Sequence, residues 1–121
     1  MAAPNIVNVA TITGKTNVAV LGATTGNVVT NPASSGKVFK LNTVVLANFD
    51  GTTAYDATIT MYSARSGATK NLVSTVSVPA DASLIVLDKS TALYMEEGDI
   101  LAGFASAASK IDVTVSFEEI S

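Results

Sequence analysis

Ile111-Asp112-Val113-Thr114-Val115-Ser116-Phe117-Glu118 decides the fold class. In an extended chain Ile111, Val113, Val115 and Phe117 fall on one face, and Asp112, Thr114, Ser116 and Glu118 on the other. Such alternation marks an antiparallel strand with one buried and one wet face. Upstream the habit recurs in shorter form. Ile100 to Ala105 reads as the penultimate strand, Ala92 to Met95 as a short one before the Glu96-Glu97-Gly98-Asp99 turn, and Ser83 to Leu87 as an apolar strand closed by Asp88-Lys89-Ser90. Asn71 to Val78 stops at Pro79, which has no N–H to give a ladder.

Two further segments suggest a hairpin. Tyr55 to Ser63 carries Tyr55, Ala57, Ile59 and Met61 on one face. Lys37 to Asn48 is apolar on both faces over part of its length, so it is expected to be covered on two sides. Between them lies Asn48-Phe49-Asp50-Gly51-Thr52-Thr53, where Gly51 is expected to supply the positive φ of a tight turn. Ala64-Arg65-Ser66-Gly67-Ala68 reads as a second turn. Turns recur every eight to twelve residues or so, which gives about seven strands after Gly36 and about eight in all. The expected fold is all-β, an antiparallel β-sandwich of jelly-roll or immunoglobulin-like form.

The first 35 residues differ from the rest. They are built mainly from Ala, Val, Thr, Asn and Gly, and no aromatic residue precedes Phe39. Short strands are expected over Ile6–Thr13, Asn17–Leu21 and Asn27–Thr30, with breaks at Gly14, Gly22, Gly26 and Asn31-Pro32. Residues 1–35 are therefore read as a weakly anchored segment, either an arm that pairs with a neighbouring subunit or edge strands of a sandwich formed by residues 36–121. On the arm reading, deleting about 30 residues leaves the sandwich folded and impairs assembly. The start, Met1-Ala2-Ala3-Pro4-Asn5, has neither a positive n-region nor a continuous apolar run, and does not read as a signal peptide.

Composition narrows the chemistry. The 121 residues include no cysteine, histidine or tryptophan, are 14% charged, and carry a net charge of −3. Ser-His-Asp, Cys-His and structural zinc arrangements are excluded by the missing side chains. The seven basic residues, of which Arg65 alone is arginine, are scattered, so no basic stripe offers itself to nucleic acid. No apolar run reaches the length of about 18 residues that a membrane span needs. The missing cysteines fit any redox compartment.

Candidate sites are few. Glu96, Glu97 and Asp99, with Asp50 or Asp56 from another loop, are calcium candidates because hard cations take carboxylates held on turns. A solvated turn accounts for the same residues, and the spacing of a dedicated calcium loop is absent. Glu118-Glu119 reads as a charge that protects a sheet edge. Paired carboxylates admit a glycosidase in principle, but seven aromatics, most at core-like positions, leave little for a sugar platform. No Gly-x-Ser-x-Gly, Ser-x-x-Lys or phosphate-cradling loop occurs. The expectation is no enzyme, no catalytic residue and no cofactor.

Five segments carry a resemblance: Asn31-Pro32-Ala33-Ser34-Ser35-Gly36-Lys37-Val38-Phe39-Lys40-Leu41-Asn42, Ala47-Asn48-Phe49-Asp50-Gly51-Thr52, Val78-Pro79-Ala80-Asp81-Ala82-Ser83-Leu84, Tyr94-Met95-Glu96-Glu97-Gly98-Asp99, and Val113 to Ile120. In this order they resemble small structural proteins of tailed bacteriophages, especially those of marine and cyanobacterial phages. The resemblance implies a virion component assembled in the host cytoplasm, with the major capsid protein or neck and tail proteins as partners. Its first placement is a capsid decoration or cement protein, often trimeric; the alternative is a neck, collar or tail accessory protein. A carbohydrate-binding sandwich is the third reading, and would expose Tyr55, Tyr62 and Tyr94. Low surface charge and plain edges suit a homo-oligomer.

Overall fold

The computed structural model describes residues 11–91 and 93–121. It contains nine strands among them: β1 (Ile12–Val20), β2 (Gly26–Thr30), β3 (Val38–Asn48), β4 (Tyr55–Ser63), β5 (Ala68–Val78), β6 (Ser83–Leu87), β7 (Leu93–Met95), β8 (Ile100–Ala105) and β9 (Ile111–Ile120). The alternating C-terminal stretch is β9, and its Ile111, Val113, Val115 and Phe117 are buried as the pattern requires. The ends of β6 and β8 coincide with those read from the sequence.

Two antiparallel sheets face each other. One has the order β1-β9-β3-β6, with β7 also on β3, and the other the order β2-β8-β4-β5. The pairs are nested: β1 with β9, β2 with β8, β3 with β6, and β4 with β5. Nesting of first with last is what results when one long hairpin is rolled over on itself, so the sandwich is a jelly roll and not an immunoglobulin-like arrangement.

The core lies between the sheets. Leu41, Val44, Leu46, Val113 and Val115 from the first sheet meet Ile59 and Leu101 from the second, all without solvent exposure. Each such side chain contributes on the order of 2 kcal/mol by leaving water. Phe39 and Phe117 stack at a ring separation of 5.2 Å. Gly103 of β8 lies beside Ile59 on the neighbouring strand β4, so close that a Cβ would stand 2.6 Å from Ile59 Cδ1 and 2.8 Å from the Thr58 carbonyl oxygen.

The expected hairpin between Lys37–Asn48 and Tyr55–Ser63 does not form. β3 pairs with β9, β6 and β7, whereas β4 pairs with β5 and β8 in the opposite sheet. Residues 49–54 therefore arch from one sheet to the other. Gly51 is not in the left-handed region, and side chains shape the arch instead. Buried Asn48 donates through Nδ2 to the Thr53 and Val78 carbonyls at 2.9 Å each, and its Oδ1 accepts the Asp50 N–H at 2.9 Å. Because Asn48 ends a strand of one sheet and Val78 a strand of the other, this amide links the two layers. The true hairpin is β4 to β5, where Gly67 at φ +64° donates to the Ser63 carbonyl.

The N-terminal strands also depart from expectation. Gly14 does not break the chain but lies inside β1, opposite Glu118. β1 and β2 form edges of the two sheets, and Leu21 and Val29 are 2% exposed members of the core. The described part of the segment is thus anchored by two aliphatic side chains. The expected Ile6–Thr13 strand up to residue 10, and any arm that it forms, lie outside the described residues.

Candidate assembly surface

Glu96, Glu97 and Asp99 are brought to one end of the sandwich but do not converge on a common point. Asp99 is 6% exposed; its Oδ1 accepts the Ala64 N–H at 2.9 Å and its Oδ2 the Glu96 N–H at 2.8 Å. Glu97 Oε2 accepts the Gly36 N–H at 2.8 Å, and Glu96 takes a forked contact from Arg65, the shortest at 2.6 Å. Asp99 and Glu96 both fasten the turn between β4 and β5, and Glu97 fastens the turn before β3. Asp50 and Asp56 lie at the far end, since β3 runs its full length between Met95 and the arch. Among the described residues no three acids form a group that holds a metal ion.

Asn31 completes this knot from within. With no exposure, it donates through Nδ2 to the Lys37 and Met95 carbonyls at 3.0 Å each and accepts the Ser35 hydroxyl at 2.6 Å. Its own carbonyl accepts the N–H of Gly98, whose φ of +88° closes the acidic turn. Asn31 and Asn48 therefore act as matching clasps at opposite ends of β3.

The Glu118-Glu119 pair is not on an edge, because β9 lies between β1 and β3. Glu119 instead bridges Lys15 of β1 at 2.8 Å and Lys37, beside β3, at 3.1 Å. Lys15 first, then Lys37, holds its carboxyl below the usual range. These groups rim a cleft of about 490 Å³ between the sheets, with Phe39, Phe117 and Val29 deeper inside. At the arch, N–H donors of Thr52 and Thr53 together with Lys110 hold Asp50 well below the ordinary carboxylate value.

The three tyrosines share no patch. Tyr55 packs against the core with Lys110 Nζ 5.7 Å from its ring centre, Tyr62 lies on the outer side of the second sheet, and Tyr94 lies on the first. A sugar platform of the expected kind is absent from this arrangement.

What stands out is the outer face of the β1-β9-β3-β6 sheet. Register places Val18 beside Thr114, Thr114 beside Val45, and Val45 beside Ile85, so four strands contribute one uncharged rung. Val18 is 73% and Ile85 63% exposed, and the neighbouring rung Thr16, Ser116, Thr43 is also uncharged. Among the described residues, five of the six exposed large apolar side chains, Ile12, Val18, Val20, Ile85 and Tyr94, belong to strands of this sheet. The sequence marks these strands but assigns no outer side to Val18 or Ile85, and in β1 it is Lys15 and Asn17 that turn to the cleft while Val18 and Val20 face out.

No helix among the described residues is long and apolar enough to cross a membrane. No family model and no curated protein sequence matches the chain. Among solved structures, one described under "Bacillus endospore appendages form a novel family of disulfide-linked pili" superposes with a TM-score of 0.52 over 92% of this chain and 88% of that chain, at 18% identity. The chain is thus similar in fold to a pilus protein of Bacillus endospores, without the cysteines that a disulfide link requires.

Proposed function

We propose that this chain is a non-enzymatic structural subunit of a multi-copy assembly, and specifically a decoration protein on the capsid of a tailed phage. Two adjacent uncharged rungs on the outer face of the β1-β9-β3-β6 sheet, continuous across its strands, carry the reading. Interfaces between proteins exclude charge from their centres, and an exposed apolar patch rimmed by polar residues marks a place to be packed against. The polar groups elsewhere support it, since the acids that suggested a metal site are engaged in fastening turns. The order of motifs shared with small phage structural proteins favours a virion over other assemblies.

A filament subunit is the second reading, favoured by the fold likeness to the endospore appendage protein. Repeated head-to-tail contacts of one domain generate a filament when the rotation does not close. Quantitative mass spectrometry of purified virions, with gold-labelled antibody to the chain on the same sample, tests both. Hundreds of copies on the shell support decoration, and a dozen or fewer at one vertex support the neck or tail. Label on fibres with none on virions supports the filament; label on neither refutes the assembly role.

A further inference from the structure

We infer that the outer face of the β1-β9-β3-β6 sheet pairs with the same face of a second copy, about a two-fold axis that runs along the strands between β9 and β3. The inference rests on the assembly reading and gives it a defined contact. Rotation about that axis lays β9 of one copy over β3 of the other, and β1 over the column of β6 and β7, while each rung keeps its level.

The side chains then match on two of the levels. On one rung Glu118 lies over Lys40, twice by symmetry, and within the chain among the described residues neither ion-pairs with any partner. On the same rung Tyr94, 48% exposed, comes over Gly14, where a Cβ would meet nothing within 4 Å. A protruding ring faces a vacancy of backbone width. Two levels on, Val18 meets Ile85 at both ends of the rung, so two of the most exposed aliphatic side chains cover each other.

An axis across the strands fails on charge. Centred on Val115, the middle of β9, it would lay β9 on β9 with Asp112 over Glu118, opposing like charges twice. The along-strand axis also suits face-to-face sheets, which pack about 10 Å apart with strands within about 30° of alignment. Four strands about 4.8 Å apart and about 30 Å long offer about 600 Å² per copy, or about 1,200 Å² in all, the lower limit for a specific pair. The contact is sized for moderate affinity, strengthened where an assembly holds copies together.

The test uses two charge variants of the full chain. Val18 and Ile85 are three strands apart within one copy, about 14 Å, so charges placed there meet only across the pair. Val18→Lys and Ile85→Glu are each expected to keep the wild-type far-ultraviolet circular dichroism, because both positions are solvent-exposed. By sedimentation equilibrium each variant alone associates about tenfold or more weakly than wild type, and an equimolar mixture regains the pair by setting lysine against glutamate. Equal association of wild type and both variants overturns the inference and leaves the assembly reading standing on another surface. A mixture no tighter than its components also overturns it, as does a wild type that stays monomeric at every concentration. In that last case the labelling of virions and fibres alone decides the assembly reading.

Discussion

Replacing Asn48 with alanine isolates the device that turns an expected hairpin into an arch. The substitution removes the Nδ2 bonds to Thr53 and Val78 and the acceptor for the Asp50 N–H. Each hydrogen bond is worth about 1 kcal/mol net, and a buried carbonyl left without a donor, as at Val78, costs about 1 kcal/mol more. The expected loss is about 4 kcal/mol, a large share of the 5–15 kcal/mol or so that holds a typical domain folded. In a chain of this size it lowers Tm by about 12–16 °C. Urea titration followed by circular dichroism measures it, with an unchanged m-value showing that the folded and unfolded states keep their compactness. Asn48→Asp refines the test. It retains the acceptor for Asp50 but sets carboxylate oxygens against two carbonyls, so at pH 7 it is at least as destabilising as alanine, and it recovers in acid as the carboxyl gains a proton. A loss below about 1 kcal/mol for alanine would refute the clasp, because the desolvation of the Val78 carbonyl alone accounts for that much and the three lost hydrogen bonds add to it.

Four further outcomes are expected. Gly103→Ala destabilises by about 1–3 kcal/mol through overpacking against Ile59 and the Thr58 carbonyl, whereas Gly26→Ala, with nothing within 4 Å of the new methyl, leaves thermal melts unchanged. Deleting residues 1–30 removes Leu21 and Val29 from the core, about 2 kcal/mol each, and bares β9 along its length; circular dichroism of the truncated chain shows loss of the fold. Thr75 sits at φ +51° in a bulge of β5, a poor conformation for a β-branched residue, and Thr75→Asn raises the urea midpoint by the equivalent of up to about 1 kcal/mol. Because Lys15 and Lys37 depress the Glu119 pKa below its unfolded value, that pair stabilises fully above about pH 5 and the stabilisation is lost as pH falls through the folded value; Glu119→Gln flattens this acid limb in melts taken from about pH 7 to about pH 3.

The sandwich was legible because alternation is a local signal, and β6, β8 and β9 follow it closely. Sheet membership was not. Asp50-Gly51 between two alternating segments has the appearance of a hairpin turn, but the partner of β3 is chosen by what covers its two faces and by a buried amide, neither of which is written within the segment. Asn31 next to Pro32 read as a simple break for the same reason: nothing nearby announces that its amide reaches Met95, 64 residues away. For the acidic turn, residue type suggested a cation, while geometry assigned each carboxylate to a neighbouring N–H or guanidinium. Val18 and Ile85 sit in strands without a clear polar side, so neither their outward placement nor their shared rung is written locally; both depend on register.

The nested pairing also sets a timetable for the chain during synthesis. Among the described strands β1 meets only β9 in its sheet, with Ile12 opposite Ile120, so the first of them to be made waits for the last. At translation speeds of about 5–20 residues per second, β1 is outside the ribosome for several seconds with no mate. Among the described strands only the β4–β5 hairpin can close early from neighbouring residues. Sequence separations this large make folding slow, in the range of milliseconds to seconds even once the chain is whole. Thr, Asn and Gly, which make up half of β1 and β2, keep the waiting strands soluble without committing them to other partners.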